Sequence, residues 1–384
     1  MSIKLGEICN FQSGGTPSKN NSEFFDGTIP WVTTTALNGS KIDERNAATW
    51  ITEKAIKESA AKIVPANSIM VGTRVGVGKV AVNTVEMSTS QDIISLIDIN
   101  EERWDKDYLC KFLQSKSDYL NSQARGATIK GIKINVLAEL AVPDISVKEQ
   151  CRISEVLNTV TKLINARQQQ LAKLDELVKA RFVEMFGDPV LNPYGFEKVP
   201  LSELAEIKIG PFGSLLHKED YIEGGHPLLN PSHIVDGNIV PDKKLTISDE
   251  KYNELEAYHL HFGDVVMGRR GEMGRCAVVM GEGFLCGTGS LLIRTRGEVT
   301  ADFIQKVISF PSFKKTIEDM AVGQTMPNLN VPIVSRFQVV KPPVKVQHRY
   351  YSFIGEVDNL RQQVQKSIEK LKTLKGALMQ QYFG

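Results

Sequence analysis

No run of about 18 consecutive apolar residues occurs in the 384-residue sequence, so no membrane-spanning helix is expected. The opening residues MSIKLGEICNF lack the apolar core of a secretory signal, which points to a cytoplasmic location. Five cysteines (Cys9, Cys110, Cys151, Cys276 and Cys286) show no Cys-x-x-Cys spacing, and no histidine pair at zinc-finger distance accompanies Cys276 and Cys286. They are expected as free thiols in a reducing compartment. The six histidines include no His-Glu-x-x-His arrangement, so no metal and no other cofactor is expected. His259 and His261 alternate on a predicted strand and are expected to mark surface. Charge of one sign is missing too: 46 Lys and Arg stand against 45 Asp and Glu, a net +1. That excludes the whole-molecule basic field of nonspecific nucleic-acid coating proteins, and a nucleic-acid surface would have to gather its cations on one face.

Catalytic signatures are also lacking. Gly72 to Lys79 fails as a phosphate-binding loop, because Thr73 stands where the first glycine belongs and Val80 follows Lys79 where Ser or Thr is required. Asn192-Pro193-Tyr194 and Asn230-Pro231-Ser232 approach the Asn-Pro-Pro-Tyr motif of adenine methyltransferases without completing it, and no glycine-rich S-adenosylmethionine loop accompanies them. Nuclease carboxylate motifs are absent from the predicted strands: Glu53-Lys54 and Asp249-Glu250-Lys251 fall in polar helical or loop stretches.

What is present is a duplication. Gln150 to Gly187 aligns without a gap to Gln347 to Gly384. Gln150/Gln347, Arg152/Arg349, Val160/Val357, Leu163/Leu360, Lys173/Lys370, Leu174/Leu371, Ala180/Ala377 and Phe186-Gly187/Phe383-Gly384 match in one register. Weaker matches precede them: Gly72-Thr-Arg-Val-Gly-Val-Gly-Lys79 faces Gly268-Arg-Arg-Gly-Glu-Met-Gly-Arg275, and Gly126-Ala-Thr128 faces Gly323-Gln-Thr325. The order is domain, helix, domain, helix.

Both matched segments read as long helices. Val160, Leu163, Leu171, Leu174, Val178 and Phe182 recur at spacings of three and four, interrupted at Arg167, and Val357, Leu360, Val364, Ile368, Leu371, Leu374 and Leu378 do the same. Rich in Lys, Glu and Gln elsewhere, they carry the pattern of a coiled-coil seam. About 35 helical residues span on the order of 50 Å, and a stripe that long needs a partner, for which the other repeat is the natural candidate. The preceding segments read as short strands: 68–71, 79–82 and 93–97 in the first half, 264–267, 276–279 and 290–293 in the second. A helix follows in each, over 107–122 and 301–319.

In the glycine-rich hairpin tips, Arg74/Arg270 and Lys79/Arg275 recur in both halves, with Arg269 adjacent. Glycine lets backbone approach a ligand closely, and these cations suit a phosphate or a guanine edge. The bland reading is a solvated turn. The loops carrying Thr128, Lys130 and Lys133, and Gln324, Thr325 and Asn328, offer short polar side chains suited to base edges and phosphates, or they simply pack beneath their domains.

Leu5-Gly-Glu-Ile8, Ser13-Gly-Gly-Thr-Pro-Ser-Lys19 and Gly27-Thr-Ile-Pro-Trp-Val32 resemble the opening of a target-recognition domain of type I restriction–modification specificity subunits. Leu201-Ser-Glu-Leu204, Gly210-Pro-Phe-Gly-Ser-Leu215 and Tyr221 through Ile239 resemble a second, and the Gln150 and Gln347 segments are similar to that family's spacer helices. The resemblance covers essentially the whole chain. It implies an α+β architecture of two mixed, β-rich target-recognition domains, each followed by a long helix, the two helices pairing as an antiparallel coiled coil. The expected layout is a first domain over 1–146, a helix over 147–187, a linker over 188–198, a second domain over 199–344 and a helix over 345–384. It also implies a non-catalytic role: choosing a bipartite site on double-stranded DNA for two modification (methyltransferase) subunits, which methylate adenine at N6, and two restriction subunits. Leu163, Leu171, Leu174, Leu360, Leu371 and Leu374 are the helix residues expected at partner contacts.

Two other readings compete: a fused methyltransferase–endonuclease, against which the missing motifs count, and a coiled-coil adaptor with two protein-binding modules. A duplicated spacer under non-identical domains fits bipartite DNA better, because half-sites need a ruler. A pseudo-two-fold should make the long helices antiparallel, with the domains at opposite ends and Gly384 near Met1. Inserting one heptad after Lys173 and one after Lys370 is expected to lengthen the gap between half-sites while leaving both half-sites unchanged. Sequencing the selected targets checks this, and altered half-sites would remove the ruler.

Overall fold

The computed structural model describes residues 1–39, 41–126, 130–272, 274–321 and 328–384. It divides into two compact units: Met1–Gln170 with Gln363–Gly384, and Leu171–Gln362.

In the first unit, a five-stranded sheet runs in the order Asn10–Ser13, Ile93–Ile97, Ile69–Gly72, Val80–Asn83, Lys41–Ile42. All neighbours are antiparallel except the last pair. A four-stranded sheet holds Thr49–Ile51, Phe25–Val32, Met87–Thr89 and Ile63–Val64. Ser2–Lys4 pairs with Ala141–Pro143, tying the first strand to the strand that leads into the long helix. The second unit repeats this plan. Ala205–Ile209, Ser290–Thr295, Val265–Gly268 and Cys276–Val278 form an antiparallel sheet, five short strands form another, and Lys198–Pro200 pairs with Gln338–Val340. The strands read from sequence fall where expected, within a residue or two. The two helices behind them do not run unbroken. They appear as Lys106–Ser115 and Ser117–Gln123, and as Ala301–Ser309 and Pro311–Met320. In the second unit Pro311 ends the first segment, since it has no amide to continue the ladder and forces Phe310 into an extended conformation.

The long helices are Val147–Phe186 and Val344–Phe383. Ser146 starts the first, its hydroxyl accepting from the Glu149 amide at 3.3 Å. Gly187, at φ +71°, ends it with a 2.8 Å bond to the Val183 carbonyl. Their pairing is antiparallel within each unit. In the first, Ile153 and Leu157 near the start of one helix share a core with Phe383 at the end of the other, where Phe383 packs 5.2 Å from Tyr108 and 6.0 Å from Phe112. In the second, Phe182 and Phe186 end against Tyr350 and Phe303, the Tyr350 hydroxyl donating to the Val178 carbonyl at 3.2 Å. Phe186 and Phe383, matched in the repeat, thus fill equivalent sockets, Phe383 in the core that also holds Leu5 and Ile8.

The seam differs from the predicted stripe. Ile164, not Leu163, is buried, and Leu163, Leu360 and Leu374 are 47%, 48% and 47% exposed. Arg361 and Lys375 take the inward positions beside the last two. Arg361 pairs with Asp175 at 2.6 Å and also with Asp358. Burial, then Lys111, lowers the Lys375 pKa. Long basic side chains bury their stems while their charges reach solvent or a partner, so such positions are invisible to an apolar pattern.

The five cysteines are free, and the buried Cys9, Cys110, Cys276 and Cys286 have thiols pushed up to about 12, 11, 11 and 12 by desolvation. They are protonated and unreactive at neutral pH.

Gln150 and Gln347 are fully buried and do the same work. Gln150 Oε1 accepts from the Asp105 amide at 2.8 Å while Nε2 donates to the carbonyls of Arg103 and Ile145 at 3.1 and 2.9 Å. Gln347 Oε1 accepts from the Thr300 amide at 2.9 Å while Nε2 donates to Pro342 and Glu298 at 2.8 and 3.4 Å. Asp105 and Thr300 are the N-caps of the domain helices. Gln150→Ala or Gln347→Ala strands buried backbone groups and is expected to cost about 1–3 kcal/mol in its own unit. Chemical denaturation monitored by hydrogen exchange checks this: faster exchange should be confined to the unit that lost its glutamine.

Candidate nucleic-acid interface

In the first unit, Ile69–Gly72 and Val80–Asn83 are joined by a tight tip. The Gly72 amide donates to Lys79 O at 2.8 Å and the Gly78 amide to Gly72 O at 3.0 Å, with Gly76 and Gly78 at φ +71° and +79°. A Cβ on Gly78 would lie 2.7 Å from Ser117 Oγ, so glycine lets the tip close onto the helix behind it. Arg74 and Lys79 point into solvent. The Thr73 amide bonds to Asp92 O at 2.8 Å, and Thr73 O accepts from the Ile132 amide at 2.8 Å. Arg125 and Gly131 exchange two 3.0 Å backbone bonds. The tip, Arg125 and residues 131–133 therefore lie side by side around a cleft of about 560 Å³ lined by Arg74, Gln123, Arg125, Gly131, Ile132, Lys133 and Val136. Lys130 and Lys133 are exposed; Thr128 lies outside the described residues.

The second unit repeats the frame with different chemistry. The Gly268 amide donates to Arg275 O at 2.8 Å, the Arg269 amide to Gly289 O at 3.0 Å, and the Leu329 amide to Arg269 O at 2.9 Å. These bonds equate Lys79 with Arg275, Thr73 with Arg269 and Arg74 with Arg270, the alignment read from sequence. Arg270 is exposed, like Arg74. Arg269 is half-buried, and its Nε donates to Asn328 Oδ1 at 3.1 Å. Burial, then the Arg270 charge, lowers its pKa. Arg275, unlike Lys79, is tied to Glu272 at 2.7 Å and to the Pro231 carbonyl at 3.3 Å, and Lys314 joins Glu272 at 3.1 Å. Hydrogen bonds from Arg275 and Lys314 hold the Glu272 carboxyl below its usual range. Gln324 and Thr325 lie outside the described residues.

Sequence reasoning missed Arg125, which stands one residue before the loop read from Gly126. It also misjudged His259. That ring is half-buried and stacks 3.7 Å from Tyr252, whose other face meets His226 at 3.8 Å; only His261 of the pair is exposed. The two Asn-Pro sequences are turn-formers. Asn192 bonds through both side-chain atoms to the Phe196 backbone at 2.7 and 2.9 Å, and Asn230 caps a short turn. Phe212, 62% exposed, projects from the turn that follows Ala205–Ile209, where the Gly210 amide bonds to Ser290 O at 3.1 Å. The hollow lined by Glu223, His233, Asp242, Lys243 and Lys244 mixes acids with lysines and offers an anion no clear attraction.

Comparison with known proteins agrees with this duplicated plan. The family model for the type I restriction modification DNA specificity domain matches residues 1–176 and again 193–372. A type I restriction enzyme specificity subunit from Methanocaldococcus jannaschii is 25% identical over 406 residues, covering 98% of this chain and 90% of that one. A specificity subunit from Escherichia coli is 31% identical over 185 residues, 46% of this chain and 45% of its own length. Among solved structures, a chain from a study of complex assembly and conformational transition in the type I R-M system covers 100% of this chain and 97% of itself, with a TM-score of 0.70 at 17% identity.

Since the two tips share a frame, each should fail alone. Arg270→Ala is expected to cost about 1–3 kcal/mol and to relax base preference in one half of a bipartite duplex if it reads a base, or to weaken all duplexes evenly if it touches phosphate. Arg74→Ala should act on the other half, and Arg269→Ala tests the adjacent reader. Binding to a panel of singly substituted duplexes checks all three, and no change with any of them would mean that the tips face away from DNA.

Proposed function

The chain belongs to the family of type I restriction–modification DNA specificity proteins, and from that premise we propose that it is the subunit that selects a bipartite DNA target, with one half-site for each of its two domains. The observation carrying this reading is the repeated frame. Three backbone bonds that seat the hairpin tip recur in both halves, from Gly72 and Gly268 to Lys79 and Arg275, from Thr73 and Arg269 to Asp92 and Gly289, and from Ile132 and Leu329 to Thr73 and Arg269, while the side chains they carry differ, as two readers of different sequences require. The readers are proposed as 1–146 and 199–344, the spacers as 147–187 and 345–384, and 188–198 as the linker. Arg74, Lys79, Lys130, Lys133, Arg269, Arg270 and Asn328 are the proposed DNA contacts among the described residues; Arg275 contributes with its charge already answered by Glu272. Thr128, Gln324 and Thr325 remain proposed contacts of the flanking loops.

The chain itself performs no chemistry in this reading. Adenine N6 methylation belongs to two modification subunits, which flip the base into their own pockets, and cleavage to two restriction subunits. The helices support a partner used twice. Leu163 and Leu360 match in the repeat and are 47% and 48% exposed, and Leu177 and Leu374 match and are 46% and 47% exposed. An apolar patch presented twice fits two copies of one partner. Leu174 is buried in the seam and Leu171 and Leu371 are half-buried, so Leu163, Leu360 and Leu374 have the most surface to offer. No helix among the described residues is long and apolar enough to cross a membrane.

Methylation-sensitive sequencing of the host genome, with and without the gene, tests the assignment. One bipartite adenine-methylated motif should vanish with the gene and return with it. An unchanged methylation pattern, together with a purified complex indifferent to DNA sequence, would favour the protein-binding adaptor.

A further inference from the structure

The two recognition frames differ most in charge at one place, the loop beside the hairpin tip. In the first half this loop carries Arg125, Lys130 and Lys133; the matching positions of the second half are Val322, Pro327 and Asn330. Arg125 is held in place by its paired backbone bonds to Gly131, and Gly131 is pressed against the tip so closely that a Cβ there would lie 2.9 Å from Arg74 Cγ and 3.0 Å from Thr73 O. Arg74 and Arg125 thus flank one glycine, and with Lys133 they line the cleft, whose other lining residues are Gln123, Ile132, Val136 and Gly131. Among the described residues no carboxylate pairs with Arg74, Arg125 or Lys133, whereas Glu272 answers both Arg275 and Lys314 in the second half. Three cations line one concave surface without a paired carboxylate, a setting that suits an anion.

We propose that Arg74, Arg125 and Lys133 form a phosphate clamp, a cleft that seats one backbone phosphate of the DNA beside the first half-site; in the second half Val322 and Asn330 stand where Arg125 and Lys133 do in the first. This rests on the reading of the chain as a DNA-recognition subunit. The ligand is a phosphodiester, so the clamp adds affinity without adding sequence information, and the first half-site carries the larger share of the salt dependence. Arg125 is the informative residue, because it owes nothing to the duplicated pattern.

The experiment uses the full chain assembled with its modification subunits and a duplex bearing the motif found by methylation sequencing. Backbone phosphates across both half-sites are replaced one at a time by neutral methylphosphonates, and affinity is measured against salt for wild type, Arg125→Ala, Arg125→Lys and Lys133→Ala. The clamp predicts a roughly 3–10-fold weakening by Arg125→Ala that is even across singly substituted base sequences, and a salt slope lower by about one unit. It further predicts partial rescue by Arg125→Lys, and one or two phosphates, all in one half-site, whose neutralisation harms wild type and leaves Arg125→Ala indifferent. Normal affinity and slope in Arg125→Ala overturn the clamp, as does a loss of preference for a particular base, which would make Arg125 a reader. If Arg125→Ala fails to assemble, the Lys133→Ala cycle against the same phosphates decides alone. Failure of the DNA-recognition reading looks different: the wild-type complex itself would show no preference for the motif.

Discussion

Each long helix carries one buried glutamine whose partners in its domain are all backbone atoms. Gln150 and Gln347 sit in the first turns of the long helices and satisfy an amide and two carbonyls that would otherwise be buried unpaired. The amide belongs to the N-cap of the domain helix, so the bond fixes that helix, and with it the sheet, against the long helix. A clamp of this kind places no demand on side chains at the positions it grips: Asp105 serves in one half and Thr300 in the other. The rest of each domain can diverge while its attachment stays constant. That is the structural condition for two readers of different sequences on one scaffold.

Much of this was legible in the sequence because the repeat fixes register. The ungapped match from Gln150 and Gln347 onward gives both helices and their equivalence, and the β-rich runs flanked by glycine give the hairpins. The equation of Thr73 with Arg269 is carried by the same amide and carbonyl bonds in both units. The seam was less legible. Leu163, Leu360 and Leu374 each have a neighbour, Ile164, Arg361 or Lys375, that points inward instead, and a one-position rotation of the stripe is hard to see when the inward residue is basic. The break near Lys116 was likewise hidden by continuous apolar spacing, whereas Pro311 stood in plain view inside the stretch read as one helix.

The hairpin tips were legible in outline, and the pairing of their cations was not. Glycine-rich tips announced themselves through the φ values they need, and Arg74 and Arg270 emerged as an exposed pair. Pairing decides whether a cation is available, and pairing is a tertiary fact. Arg275 and Lys79 share a backbone position, yet one is bonded to a carboxylate and the other is exposed. Arg125 was overlooked because it stands one residue before the loop read from Gly126, outside the stretch in which cations were sought.

Phe383 has a consequence for the order in which the molecule can be made. It completes a core with Tyr108, Phe112 and Leu157, and Leu378, Met379 and Tyr382 pack alongside. During translation, at about 5–20 residues per second, the ribosome needs on the order of 10–40 s after finishing the first long helix to reach these residues. For that interval the earlier half of the nascent chain holds an open aromatic socket around Tyr108 and Phe112. The second half finds Phe182 and Phe186 already waiting when Tyr350 and Phe303 emerge. The half synthesised first is therefore the half finished last, and a chain stopped short of Phe383 should show the loss in the fold of the domain that holds Tyr108 and Phe112.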